Sequence, residues 1–377
     1  MSRLSRIFLI FSIALIIFSI GYVIGSDNFP FSKTIKATYQ NMLEQNNTNY
    51  DEINKIHTKT TISNLVDIQN EIDVISHRNN LIEFIWKKQN LPINEFPTNI
   101  EYNIIDKRYS SLSNLKEINK ISTVMENGVE SHAYLFIPNL KNQSLVIYHQ
   151  GHDGDFVNGI EIIDSLLENN ISVLAFSMPL LGMNNQPEVE LENIGIIKLQ
   201  KHDNFYFLDN QNFSSIKYFV HPITLSLNHI IETYDYDEFH MIGISGGGFV
   251  TSLYSALDNR IMKSFSIASP LPLFISINSD DHESDYESTL PELYRIVNHM
   301  ELYILSSYGE NREHLKIINK YDPCCHYGIS YQLFENDIME IMEKLDNGSF
   351  SIFLDTTHTE HKISEEAKSI IFNSIST

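Results

Sequence analysis

The feature that most constrains the fold is a glycine-rich turn in the middle of the chain, from Gly243 to Gly247 with Ser245 at its centre. The apolar run Phe239 to Ile242 precedes it, and residues 247–258 have helical character. This is the G-x-S-x-G pattern in a strand-turn-helix setting. A serine at the tip of so tight a turn has a strained backbone, and glycines two residues away on either side remove Cβ atoms that would collide with neighbouring elements. The pattern therefore predicts that Ser245 is a nucleophile.

An activated serine needs a base to take its proton, and the base needs an acidic side chain to orient it. In chains with this kind of turn, the acid and then the histidine follow the serine. His361 lies between a predicted last strand, Ser349 to Leu354, and a predicted final helix, Glu365 to Phe372. We therefore expect His361 to be the base, with His358 in the same loop as the alternative.

The acid has several candidates. Asp322 precedes a proline ahead of the predicted helix before the last strand, and it is the preferred residue. Glu310 follows a predicted strand from Leu302 to Ser306, so it is the first alternative. The remaining candidates are Asp280, Asp281 and Asp285. The sequence leaves this choice open.

Runs rich in branched and aromatic residues alternate with helical segments from about residue 98 onward. The other predicted strands are Tyr134–Ile137, Ser144–Tyr148, Ile171–Phe176, Glu238–Ile244 and Lys263–Ala268. The predicted helices are 158–169, 222–234, 247–258 and 331–346, after an earlier helical segment from Leu65 to Leu91. This order predicts an α/β fold whose mostly parallel sheet has helices on both faces, with functional loops at the carboxyl ends of the strands.

Residues from about 125 to 377 resemble the α/β-hydrolase fold superfamily. The resemblance rests on the turn at Ser245, on Val146 to Gly154, which is similar to the superfamily's oxyanion loop, and on Val173 to Gly182, which is similar to the strand and loop that follow. It implies an eight-stranded, mainly parallel sheet, a serine hydrolase mechanism and no cofactor.

Carried onto this chain, the resemblance implies that Ser245 attacks a carbonyl carbon and that His361 transfers the proton. The backbone amide of Gly246, with that of Gly151 or His152, would bind the oxyanion. The expected activity is that of an esterase on a small or medium acyl ester, with a lipase or peptidase as alternatives of the same class. The alternative from another class is a non-catalytic recognition or adhesion domain on this fold.

A metal site is not expected. The side chains that suggest one are His149, His152, Asp153 and Asp155. However, the glycines at 151 and 154 already have a structural reason to be in this loop, and no further ligand set is evident.

The first residues differ from the rest of the chain. Ile7 to Gly25 contains no charged residue, is long enough to span a bilayer, and follows Arg3 and Arg6. We expect an uncleaved signal anchor of type II, with the remainder lumenal or extracellular, and the alternatives are a cleaved signal peptide or a soluble apolar tail. Sequons that fit glycosylation on that side occur at Asn46, Asn142, Asn170, Asn212 and Asn347.

The predicted organisation is an anchor at 1–25, a polar stalk at 26–60, a helical segment at 61–97 and the hydrolase domain at 98–377, with a possible lid at 183–221. The formal net charge of −22 would repel nucleic acid, so we expect no such partner. Adjacent Cys324 and Cys325 cannot make a disulfide framework or a paired zinc motif. They are expected to form a vicinal disulfide or to remain two buried thiols.

Overall fold

The computed structural model describes residues 49–278 and 285–376, and a compact unit begins at Asp51. The predicted anchor at 7–25 and the larger part of the predicted stalk lie outside the described residues. Within the described ranges, no helix combines the length and the apolar character needed to cross a bilayer.

Eleven strands are present in the described residues. They are β1 Asn99–Glu101, β2 Leu115–Val124, β3 Glu130–Pro138, β4 Ser144–His149, β5 Ser172–Phe176, β6 Glu188–Leu191, β7 Gly195–Lys198, β8 Glu238–Ile244, β9 Ile261–Ile267, β10 Glu313–Asn319 and β11 Ser349–Asp355. Nine of them form one sheet in the order β1-β2-β3-β5-β4-β8-β9-β10-β11, while β6 and β7 form a separate antiparallel pair. The neighbours from β5 to β11 are all parallel, which confirms the predicted mostly parallel sheet.

The expected strand number of eight is wrong by one. The additional strand is β1, which pairs antiparallel with β2 at the edge of the sheet. It has only three residues, Asn99 to Glu101, of which the middle one is half-buried and the outer two are exposed. So short a segment has no apolar alternation from which a strand can be predicted.

The α-helices of the described residues are α1 Glu71–Trp86, α2 Ile160–Glu168, α3 Lys217–Thr233, α4 Gly246–Leu257, α5 Leu273–Ser276, α6 Tyr286–Thr289, α7 Pro291–Tyr294, α8 His299–Ser307, α9 Glu335–Leu345 and α10 Glu365–Ile375. Helix α1 begins later than expected, because Asn70 caps its first amides through its side chain. The predicted lid region contains β6, β7 and a 3-10 helix from His202 to Phe207.

Two hydrophobic cores lie on the two faces of the sheet. Along β4, Leu145 and Ile147 belong to one core while Val146 and Tyr148 belong to the other, because successive side chains of a strand point to opposite faces. Helices α1, α3, α4, α8 and α9 contribute to the first core, and α2 and α10 contribute to the second. The predicted layering of helices on both faces is therefore confirmed.

The predicted strand from Leu302 to Ser306 is wrong, because this segment is helix α8. Asn298 and Glu301 form a capping box at its start, and every residue of the helix is buried. An apolar run that is buried all round has no periodicity that separates helix from strand.

The strand that precedes Asp322 is instead β10, Glu313 to Asn319, which pairs in parallel with β9 on one side and with β11 on the other. It was missed because buried polar residues interrupt its apolar pattern. His314 bonds to the hydroxyl of Ser264 at 2.7 Å, and the Lys316 ammonium donates to the carbonyl of Ser269 at 3.0 Å. These partners make the burial of both side chains tolerable.

Candidate active site

Ser245 lies at the junction of β8 and α4 with a left-handed backbone, φ 57° and ψ −129°. It is partly exposed, whereas the residues on either side are buried. A Cβ atom on Gly243 would lie 2.1 Å from the carbonyl oxygen of Gly247, and one on Gly247 would lie 2.2 Å from the carbonyl oxygen of His149. The two glycines therefore allow the close approach of backbone that presents the serine.

The loop after β4 packs directly against this turn. Strands β4 and β8 are parallel neighbours with His149 opposite Gly243, so the residues that follow each strand meet at the same edge. A Cβ atom on Gly151 would lie 2.7 Å from the Cβ of Ser245, and one on Gly246 would lie 2.4 Å from Cε1 of His152. The structure thus brings the three predicted oxyanion residues to the serine.

Asp322 and His361 are joined by a hydrogen bond of 2.7 Å between Oδ2 and Nδ1. Asp322 is fully buried, and its Oδ1 accepts the backbone amide of Cys324 at 2.9 Å. Strands β10 and β11 pair with Asn319 opposite Asp355, so the loops that carry Asp322 and His361 leave the same edge of the sheet. That edge is also the carboxyl end of β8, which carries Ser245.

The alternative residues lie elsewhere. The His358 ring is 3.4 Å from Asp355, a buried carboxylate that also accepts hydrogen bonds from Thr357 and Ser364. Glu310 is exposed and comes before β10, at the edge of the sheet opposite to Ser245. Asp280 and Asp281 lie outside the described residues. Asp285 lies 3.6 Å from Nδ1 of His152 and so approaches the oxyanion loop instead of His361.

Cys324 and Cys325 form a vicinal disulfide in this structure, and the two residues are exposed and half-buried, respectively. Of the two expected states, the structure therefore shows the vicinal disulfide and not the pair of buried thiols. Both sulfur atoms lie within 4.8 Å of a ring nitrogen of His361. The disulfide is therefore part of the wall beside the predicted base.

A second cluster near Ser245 was not found from the sequence. The side chains of His152, His202 and Glu287 meet, with Oε2 of Glu287 2.9 Å from Nδ1 of His202 and Oε1 2.8 Å from Nε2 of His152. Burial alone would raise the pKa of Glu287, but the adjacent imidazoles of His202 and His152 hold it well below its usual value. No spacing rule could have found this cluster, because its members come from three separate segments of the chain.

Of the four residues first considered as ligands, His149, Asp153 and Asp155 make hydrogen bonds within their own loop. His149 is buried and bonds to the carbonyl of Gln150, and burial lowers its pKa to about 4. Asp153 accepts from the side chain of Gln150, and Asp155 accepts from the amide of Val157. Of these four residues, only His152 contacts other side chains that could bind a metal ion with it, namely His202 and Glu287.

The parallel sheet, the layered helices and the strand-turn-helix at Ser245 define an α/β-hydrolase fold, and solved structures of that fold are similar to this chain. One is acetyl xylan esterase 1 from Thermoanaerobacterium sp. JW/SL YS485, with 14% identity, coverage of 86% of this chain and 98% of that chain, and a TM-score of 0.56. Another is the acetyl xylan esterase from Paenibacillus sp. R4, with 15% identity, coverage of 84% and 99%, and a TM-score of 0.53. The sequence matches no protein-family model and none of the curated proteins.

Proposed function

We propose that the chain is a serine esterase that hydrolyses carboxylic esters through an acyl-enzyme, with Ser245 as nucleophile, His361 as base and Asp322 as the orienting acid. The observation that carries this proposal is the 2.7 Å hydrogen bond from His361 Nδ1 to a buried Asp322. A ring nitrogen held in this way leaves Nε2 as the proton acceptor, which is the tautomer that serine activation needs. The left-handed backbone of Ser245 and its partial exposure support the assignment of the nucleophile.

In the proposed reaction the Ser245 hydroxyl adds to the ester carbonyl while His361 takes its proton. His361 then returns the proton to the departing alcohol, and the acyl group stays on the serine oxygen. A water molecule then gives a proton to the same imidazole and adds to the acyl carbonyl carbon. The bond to the serine oxygen breaks, the imidazolium returns its proton to that oxygen, and the acid leaves. The amide of Gly246, with that of Gly151 or His152, stabilises the oxyanion, and each such donor contributes about 3 kcal/mol to the transition state.

We propose a small acyl group, such as acetyl, as the part of the substrate that enters the site. The support is the similarity in fold to two acetyl xylan esterases, which is a likeness of architecture at 14% and 15% identity.

The test is labelling and turnover by the full-length chain. We expect a fluorophosphonate probe to label the wild type and p-nitrophenyl acetate to be hydrolysed, and both signals to be lost in Ser245→Ala. A serine exposed on the surface away from the turn, Ser110, provides the matched control, because Ser110→Ala leaves the turn unchanged. Labelling that persists in Ser245→Ala would place the nucleophile elsewhere.

We further propose that the apolar segment Ile7 to Gly25 anchors the chain in a membrane with the esterase domain on the lumenal or extracellular side. The full-length chain should then remain with membranes after alkaline carbonate extraction, whereas a chain that starts at residue 27 should be released. Recovery of the full-length chain in the soluble fraction would contradict the anchor.

A further inference from the structure

The cluster formed by the side chains of His152, His202 and Glu287 takes no part in the proton transfers proposed above. His152 belongs to the loop after β4, His202 begins the 3-10 helix of the predicted lid region, and Glu287 lies in α6. Nε2 of His152 is 3.2 Å from Nδ1 of His202, in addition to the two carboxylate contacts of 2.8 and 2.9 Å. Two imidazole nitrogens and the two oxygens of one carboxylate, from distant parts of the chain, thus lie side by side.

These separations fit ligands around one metal ion. Nitrogen and oxygen donors lie about 2.0–2.2 Å from Zn²⁺, so two donors at angles between 90° and tetrahedral are about 2.8–3.6 Å apart. We propose that His152, His202 and Glu287 bind a divalent transition-metal ion of the Zn²⁺ type. Two imidazoles with one carboxylate are a ligand set for such ions, whereas Mg²⁺ and Ca²⁺ prefer oxygen atoms alone.

The carboxylate supports the site independently of the spacing. Glu287 is completely buried, and within the described residues its Oε1 has no hydrogen-bond donor in good geometry, although Nε2 of His152 lies 2.8 Å away. A buried carboxylate oxygen that lacks a well-aligned donor is costly. A bound cation satisfies this oxygen directly.

His202 is held in the orientation that a ligand needs. Its Nε2 donates to the carbonyl oxygen of Pro179 at 2.8 Å, so the hydrogen of the neutral ring is on Nε2 and the lone pair of Nδ1 faces Glu287. Histidines that bind metals commonly donate their other nitrogen to a carbonyl or carboxylate in this way.

The position of the site indicates what the ion does. The His152 side chain is 28% exposed, whereas those of His202 and Glu287 are 7% and 1% exposed, so the ion has a route in past His152. Because His152 also packs on Gly246, the ion links the oxyanion loop to the lid region and to α6. The proposed ion therefore crosslinks the loop after β4, the 3-10 helix that begins at His202 and helix α6 beside Ser245.

The test is a titration of the full-length chain with Zn²⁺ after removal of bound metal by a chelator. No reductant is added, so that the Cys324–Cys325 disulfide stays closed. We expect calorimetry to find one equivalent of Zn²⁺ bound, Co²⁺ to give visible d–d absorption, and Zn²⁺ to raise the midpoint of thermal unfolding.

Removal of one ligand should weaken Zn²⁺ binding by more than about a hundredfold. Glu287→Gln keeps the shape of the buried side chain, and His152→Ala removes a partly exposed ring, so circular dichroism can show that at least one of them folds. His229→Ala, on the accessible side of α3, is the matched control and should bind as the wild type does. The proposal is overturned if Zn²⁺ does not bind, if binding survives both ligand variants, or if it is lost in His361→Ala instead, since the ion would then lie beside the disulfide.

Discussion

At the scale of single residues, Asp322 accepts two hydrogen bonds, one on each carboxylate oxygen, from His361 and from the Cys324 amide. Its complete burial means that no water competes for either oxygen. A carboxylate held in this way fixes both the tautomer and the direction of the imidazole. Its replacement by an amide of the same shape therefore isolates its chemical role.

Asp322→Asn is expected to lower kcat for p-nitrophenyl acetate by about three to four orders of magnitude, because the amide favours the wrong tautomer of His361. The measurement is steady-state hydrolysis by the purified chain. Glu310→Gln, at the opposite edge of the sheet, is the control and should keep wild-type kcat. If Asp322→Asn keeps its activity and Glu310→Gln loses it, then Glu310 is the orienting acid and Asp322 is not.

His361→Ala should abolish turnover, whereas His358→Ala should retain most of it, because His361 alone of the two bonds to Asp322. Kinetics with the same ester compare the two variants directly. If instead only His358→Ala is inactive, His358 is the base and Asp355, 3.4 Å from it, is its partner.

At the scale of elements, the site depends on the two loops that leave the parallel pair β10 and β11. The first loop contains Asp322 and the disulfide of Cys324 and Cys325, and the second contains His361. The disulfide restricts the backbone at the same amide that bonds to Asp322. The disulfide within this loop therefore helps to position Asp322, the proposed acid.

Replacement of Cys324 and Cys325 by serine should lower kcat about tenfold, because the amide of residue 324 is then less firmly held against Asp322 and a hydrogen bond to a charged group contributes about 1.5–3 kcal/mol. Fluorophosphonate labelling of Ser245 should remain measurable, which shows that the turn is intact. Dithiothreitol should reduce the activity of the wild type but leave the double variant unchanged. If the wild type and the double serine variant have the same kcat with and without dithiothreitol, the disulfide does not contribute to the activity.

Local patterns explain which elements could be predicted. The strand-turn-helix at Ser245 was predictable because its glycines and its apolar run are contiguous in sequence. Strand β10 could not be predicted, because His314 and Lys316 are buried beside hydrogen-bond partners on other segments. The sequence alone does not show which segments will become neighbours in the fold. The cluster of His152, His202 and Glu287 could not be predicted for the same reason, because its members contact one another across 50 to 135 positions of the sequence.

At the scale of the whole molecule, several histidines are buried in the core in the neutral form. Burial lowers the pKa of His299 and of His314 to about 3, with Lys316 adding repulsion in both cases, and burial lowers that of His240 to about 4. The His314 ring also lies nearly parallel to the rings of Tyr303 and Phe350, with centroid distances of 5.7 and 6.1 Å. Protonation of these rings therefore favours the unfolded chain.

The free energy of unfolding should fall as the pH drops from about 6.5 towards 4, because the unfolded chain then binds protons that the folded chain does not. Each such histidine contributes up to about 1.4 kcal/mol per pH unit. Urea denaturation at several pH values measures the slope, and His314→Gln should reduce it by close to one proton even where it also lowers stability. If the pH dependence of the free energy of unfolding is unchanged in His314→Gln, the His314 ring binds protons equally in the folded and the unfolded chain.

The order of the elements along the chain has a consequence for synthesis. The serine turn lies between β8 and α4, whereas the strand before His361 is β11, which forms one edge of the sheet and is made after β8, β9 and β10. A ribosome-bound nascent chain can thus hold Ser245 while His361 is still inside the exit tunnel. Such a chain holds the proposed nucleophile without the proposed base, so the proposed ester cleavage cannot begin before β11 and the loop after it have left the tunnel and β11 has docked on β10.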